Sequence, residues 1–401
     1  MLSALVGVVL GGWPLALPAQ TSVPIGTWRT HFSYQQINHL TITPDQVYAA
    51  AANGLFSVSR TDGSIRILTK NDGFTDVAVV ALAYEPTAGA LMLAYQSGRI
   101  DVLVDGKIRT FDLLQRATAQ EKELIYDVHW QESTAFVSTS QGVRVLSLTD
   151  GALQIVASYT RLSVTGDPLA IYNATTSADS IFLATDEGVI ANALATNTNQ
   201  QDFRTWRRLS SPPGTLESQV RYVAYRNGTL YAAYDGAGLF QWRTGQWQPT
   251  ELTTSRPFRA LRATATSLVA VTDEQVLTLD GPAVVSSEPG LAPQDAEVDE
   301  QGNLWIADRK QGLLRFSEDA FVSFLPNGPA SDNLPVVRWV HDRLLALNAS
   351  SDGRFSAFGQ GQWTIYNSPA SGAQIRDAAF DPITRAYYLA SFGPGLLRWD
   401  G

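Results

Sequence analysis

A chain of 401 residues with 45% apolar and 10% aromatic residues can bury a large core, which excludes a disordered ground state. A net charge of -9 with four isolated lysines excludes the clustered basic face that nucleic acid demands, so no nucleic-acid partner is expected. The lack of cysteine excludes disulfides, thiolate metal sites and thiol nucleophiles.

The first element in chain order is an uncharged apolar run, Leu2 to Leu17, ending in Leu17-Pro18-Ala19 before the polar Gln20. The run falls short of the roughly 20 residues that span a bilayer, and Gly11, Gly12 and Pro14 weaken it as a helix. It predicts a signal peptide over residues 1–19, cleaved between Ala19 and Gln20, and export to the outer-membrane surface or periplasm. No Lys or Arg precedes the run, and the first cation is Arg29.

Beyond it one pattern recurs: an apolar strand, a turn, a strand rich in Leu, Tyr and Ala, then glycine and another apolar strand. Val47-Tyr48-Ala49-Ala50 leads to Gly54-Leu55-Phe56, and Leu91 to Tyr95 leads to Gly98-Arg99-Ile100. Ala135 to Thr139 leads to Gly142, Ile181 to Thr185 to Gly188, and Leu230 to Tyr234 to Gly238. Leu304 to Asp308 leads to Gly312, and Tyr387 to Ser391 to Gly395. Weaker copies lie at Leu268 to Leu279 and Leu344 to Phe358. Glycines 54, 98, 142 and 188 are spaced by 44, 44 and 46 residues, the length of one four-stranded propeller blade.

The fold class predicted is therefore all-β, a β-propeller of four-stranded blades. The small-residue strand is expected at the crowded axis, and the Asp-Gly pairs 62–63, 72–73, 105–106 and 150–151 are expected in hairpin turns. Nine copies exceed the usual ring, so a seven-bladed ring plus the first blades of a second propeller is predicted. The first propeller takes residues 20–330, its seventh unit ending near Phe324, closed by an early strand from Gly26 to Tyr34. An incomplete second propeller takes 331–401, its first unit starting near Leu334, and the halt directly after a blade hairpin reads as a truncation.

Motifs for nucleotide, hydrolase, zincin or calcium chemistry are absent, and His31, His39, His129 and His341 are dispersed over different units. No catalytic residue, metal or cofactor is expected, since convergence of these histidines from separate blades is a less economical reading than polar strand positions. Candidate binding residues are Tyr95, Arg99 and Asp101 in the second unit, with a capped blade turn as the alternative. Trp242 and Trp247 end a later blade, where they serve either a ligand surface or packing between blades.

Asp299 to Asp308 followed by Gly312-Leu313-Leu314-Arg315 looks like the repeat of two-component-regulator propellers. Trp28 to Tyr34, Asn53 to Phe56, Leu68 to Asp76 and Ala94 to Asp101 together resemble the N-terminal propeller of the PorZ family of type IX secretion, with Phe74 where that family usually has Leu. The resemblance implies a non-enzymatic surface component of an attachment complex. Its implied partners are a sortase-like protease, an outer-membrane scaffold and an anionic lipopolysaccharide glycan. It also implies a second propeller and a C-terminal β-sandwich sorting domain, and this sequence contains no such sandwich. Two other classes compete: a periplasmic ligand-sensing propeller of a hybrid two-component regulator, and a propeller enzyme with carboxylates and histidines converging on a channel mouth.

Overall fold

The computed structural model describes residues 30–113, 123–194, 198–212, 215, 220–252, 254–264, 266–279, 290–317, 320–348 and 353–401. The expected signal peptide and its Ala19–Gln20 cleavage fall outside them. The chain divides into two units, Met1–His31 and Phe32–Gly401, and every described strand belongs to the second. Among the described residues no helix is long and apolar enough to cross a membrane.

Among the described residues nine antiparallel sheets follow one another, each a simple meander of neighbouring strands. They span residues 37–68, 79–112, 125–159, 171–208, 220–249, 258–279, 293–324, 336–367 and 374–399, and are numbered here as blades 1 to 9. Among the described residues blades 6 and 9 have three strands and the others four. The first strands of blades 1 to 7 are Ile37–Ile42, Val79–Glu85, Ile125–Gln131, Ile171–Thr176, Val220–Arg226, Phe258–Ala263 and Pro293–Val298. Each packs against the next, and the seventh packs back against the first, so seven blades close a ring around these inner strands. Blades 8 and 9 pack against each other through Val336–Val340 and Gln374–Asp381, outside that ring.

The alanine-rich repeat strand occupies the second position in each blade, not the axis. In Gln46–Ala51 and Ala90–Tyr95 nearly every side chain is sealed from solvent. The reason is geometric. A middle strand is covered on both faces by neighbouring blades and needs small or apolar residues, whereas the inner strand borders the axial channel and keeps polar ones. The core accordingly lies between blades. Tyr34, Phe56, Trp305 and Leu313 form the cluster joining blade 1 to blade 7. Trp305, 1% exposed, alone removes about 200 Å² from water, a gross gain of about 5 kcal/mol.

Turn chemistry follows the sequence at Asp105-Gly106 and Asp150-Gly151, where both residues of each pair take positive φ, the geometry of tight two-residue hairpins. Asp72-Gly73 does something different. Asp72 closes a capping box with Thr69 on a short 3-10 turn, and Gly73 ends that turn at φ 103°.

The closing strand expected from Gly26 to Tyr34 is not formed over its described residues, which carry no strand. The segment from Phe32 to Gln35 instead runs as a strap along the link between blades 7 and 8. Ser33 donates its backbone N–H to Asp332 (2.6 Å), and Asn53 donates to the other oxygen of that carboxylate (3.1 Å). At Gly328 a Cβ would stand 2.3 Å from the Phe32 carbonyl oxygen, so only glycine fits. Arg354 of blade 8 donates to Gln35 (2.9 Å), tying the strap to the second group of blades.

Candidate functional site at the channel axis

The inner strands carry an unusual load of polar side chains for the middle of a fold, and these are paired from blade to blade. Asp127 of blade 3 accepts from Asn173 of blade 4 (2.7 Å), whose amide oxygen accepts the backbone N–H of Val223 in blade 5 (2.8 Å). Thr175 accepts from the backbone of Tyr225 (3.0 Å), again joining blade 4 to blade 5. Arg262 of blade 6 donates to both oxygens of Asp295 in blade 7 (3.0 and 2.9 Å), and also lies 3.8 Å from Asp127. Asp295 in turn receives the backbone N–H of Leu40 in blade 1 (3.4 Å). His129 of blade 3 shares a hydrogen bond with Thr176 of blade 4 (2.9 Å). The result is a polar belt whose members are each held by the next blade.

Burial tunes the ionisable groups of this belt. It pushes Asp127 up to about 6 against the attraction of Arg262, and Glu297 up to about 7. It pushes His39 and His129 down to about 4, with Arg262 adding to the depression of both, and holds Tyr222 up at about 12. At neutral pH both histidines are therefore uncharged. Asp127 and Asp295 share Arg262 as counter-ion. Among the described residues no group of three or more His, Asp and Glu side chains is placed to hold a metal ion.

At one end of the channel the belt opens into a cavity of about 160 Å³, adjoining a shallower depression of about 420 Å³ that shares His39, Tyr222, Arg259 and Gln294 with it. Its construction is repetitive. In every inner strand of the ring the pairing with the second strand skips one residue near the start: Ile37 pairs with Ala51 and His39 with Ala50, passing over Asn38. The same β-bulge passes over Val80, Tyr126 and Tyr172 in blades 2 to 4. In blades 5 to 7 it passes over Arg221, Arg259 and Gln294. A bulge re-aims the unpaired side chain, and here all seven line the two adjoining hollows. Tyr126 and Tyr172 meet with ring centroids 5.4 Å apart, and the Arg221 guanidinium lies 4.2 Å over the Tyr172 ring. The Tyr172 hydroxyl donates to Asp186 (2.8 Å).

The residues singled out from the sequence lie elsewhere. Asp101 has no solvent exposure and accepts from Tyr95 (2.9 Å), from Thr110 (2.7 Å) and from the backbone N–H (2.8 Å) and hydroxyl (3.1 Å) of Thr75. Tyr95 is 1% exposed, while Arg99 points to solvent, so the trio does not assemble into one open site. Asp101 serves as an interior hub, joining the loop at Thr75 to its own sheet, and not as the self-capped turn that was the alternative. Trp247 is buried in the cluster between blades 4 and 5, with half-buried Trp242 set edge-on at 5.0 Å. His39 and His129, set aside as dispersed, both stand on inner strands. The missed signal is a triplet, an apolar residue followed by two polar or aromatic ones, opening several inner strands: Ile37-Asn38-His39, Ile125-Tyr126-Asp127, Ile171-Tyr172-Asn173 and Val220-Arg221-Tyr222.

Comparison with known proteins bears on this architecture. Residues 47–207 match the family described as the type IX secretion PorZ N-terminal β-propeller domain. No curated protein sequence matches the chain. Among solved structures, PorZ of Porphyromonas gingivalis, described as an essential bacterial surface component of the type IX secretion system, superposes with a TM-score of 0.74 at 16% identity. That match covers 93% of this chain and 52% of PorZ. The extracellular domain of BT3049 from B. thetaiotaomicron, assigned as a hybrid two-component system, gives 0.53 at 13% identity, over 92% of this chain and 52% of its own. The extracellular domain of BT4673 from the same organism gives 0.51 at 14%, over 92% and 58%. This chain thus spans between half and three-fifths of the length of these structures, which share its fold and are described as surface or extracellular proteins. Residues 47–207 match the PorZ N-terminal β-propeller model, and the ring that contains them shares the propeller fold of PorZ and of these extracellular domains.

Proposed function

We propose that the chain acts as a non-enzymatic surface adaptor in a type IX secretion attachment complex. The observation that carries this reading is the family match over residues 47–207, which spans blades 2 and 3 and most of blades 1 and 4. The belt is in keeping with it, because Asp127 and Asp295 hold neighbouring blades together through hydrogen bonds and ion pairs. Its partners on this reading are proteins of the secretion complex, a sortase-like protease and an outer-membrane scaffold, together with an anionic lipopolysaccharide glycan. It is exported, acts at the outer-membrane surface, and consists of a first propeller to about residue 330 followed by the beginning of a second.

The test is genetic. Deleting the gene in the bacterium that carries it should leave cargo with C-terminal sorting domains unprocessed and unattached, as read by immunoblot of surface and periplasmic fractions. Normal cargo attachment in the deletion strain would overturn the proposal. A sensing role would show instead as a changed transcriptional response to oligosaccharides with secretion intact.

A further inference from the structure

We propose that the mouth of the first ring is a binding pocket for a glutamate-type carboxylate presented by an extended peptide. The proposal goes beyond the secretion reading and rests on the seven repeated bulges. A bulge leaves one residue unpaired in the ladder, and the same bulge passes over Arg376 in blade 9, outside the ring, so it belongs to the blade and ring closure is what gathers its side chains. Here the feature is repeated seven times and delivers all seven side chains to one rim.

What is delivered defines the ligand. The protein as a whole is acidic, yet two of the bulged residues are Arg221 and Arg259, and neither has a carboxylate within ion-pair distance among the described residues. Arg309 adds a third guanidinium to the rim, held by Asn38 at 3.1 Å. The carboxylates of the cavity floor, Asp127 and Asp295, already face Arg262. The unmatched charge at the mouth is therefore positive, and an arginine fork suits a carboxylate. Stacking of Arg221 on Tyr172, itself anchored to Asp186, fixes that guanidinium before any ligand arrives.

Size selects among carboxylates. A hollow of about 160 Å³ holds about six heavy atoms, as a cavity of similar volume takes one benzene molecule. A glutamate side chain fits within that limit, whereas a uronate ring has roughly twice as many atoms. The adjoining depression is edged by Asn38, Gln96 and Gln294, amides able to pair with a peptide backbone lying across it.

The experiment is calorimetric titration of the purified full chain with acetyl-Ala-Glu-Ala-amide, its glutamine counterpart and galacturonate. The glutamate peptide should bind at least tenfold more tightly than the glutamine peptide. Arg221→Gln and Arg259→Gln should each weaken it about tenfold, with thermal midpoints unchanged because both side chains reach the open cavity. Equal binding of the two peptides, tighter binding of galacturonate, no binding of the glutamate peptide at about 10 mM, or full binding by the double variant would each overturn the proposal. The assay uses the chain alone, so a negative result leaves the secretion reading standing, and failure of the genetic test leaves the pocket standing.

Discussion

Arg262 grips Asp295 with two hydrogen bonds, of 3.0 and 2.9 Å, across the boundary between blades 6 and 7. The pair is close to fully enclosed on the Asp295 side, whose side chain is 2% exposed. Replacing Arg262 by Leu should cost about 3 kcal/mol, because it leaves Asp295 buried without a counter-ion and removes the compensating charge from Asp127. Urea denaturation with an unchanged slope is the measurement. The double variant Arg262→Leu with Asp295→Leu should recover a large part of that loss, and a double-mutant cycle with no coupling would show that the pair contributes nothing.

The same belt sets a pH response. Asp127 and Glu297 have folded values raised to about 6 and about 7, so between their unfolded values and these the native state holds extra protons and stability falls as pH rises. His39 and His129, lowered to about 4, do the reverse, since the unfolded chain binds the protons there and stability rises with pH up to the unfolded value near 6.5. Over about pH 4.5 to 6 the two contributions oppose each other and the belt gives a nearly flat profile. Replacing both histidines by Gln should expose the carboxylate contribution, so that stability relative to the parent declines from pH 4.5 to 6. Glu297→Gln should stabilise at pH 8 and have little effect at pH 4, read from thermal midpoints at both.

Two glycines at equivalent turns separate strain from collision. At Gly142, φ is 133° and an added Cβ would stand 2.0 Å from the Tyr159 carbonyl oxygen, whereas at Gly188, φ is 88° and nothing lies within 4 Å. Gly188→Ala should cost about 1 kcal/mol from backbone strain alone. Gly142→Ala should cost at least about 3 kcal/mol, as the sheet must shift to admit it. Similar values for the two, from chemical denaturation, would contradict the packing of blade 3.

Asp101 should behave as scaffold. Asp101→Ala strands the Tyr95, Thr75 and Thr110 donors and should cost about 3 kcal/mol, while Tyr95→Phe removes one bond and should cost about 1 kcal/mol. Neither should alter peptide affinity in the titration described above.

Much of the architecture was legible because blade packing forces a pattern on the chain. The second strand of each blade is covered on both faces, so Ala49-Ala50 and Leu93-Ala94 announce themselves, and the glycine after each marks the turn. The inner strand was harder to read. Its bulge breaks the two-residue alternation near the start, so Tyr126 and Asp127, or Arg221 and Tyr222, fall out of phase with the residues that follow. Convergence of His39, Asp127, Arg262 and Asp295 depends on ring closure, a relation between residues far apart in sequence that spacing along the chain does not reveal. Tyr95 and Asp101 drew notice as a polar cluster beside a glycine turn, yet that cluster is consumed by its own hydrogen bonds.

Every four-stranded blade of the ring takes its strands from one uninterrupted stretch of chain, and among the described residues the meeting of blade 7 with blade 1 is made by side chains such as Trp305, Tyr34 and Arg60 with Asp299, without an exchanged strand. The order of blades is consequently cyclic in a topological sense: joining the two ends of the ring and cutting the backbone between any other pair of blades would leave each sheet intact. Such permuted chains should fold to the same ring, and no one blade serves as the keystone.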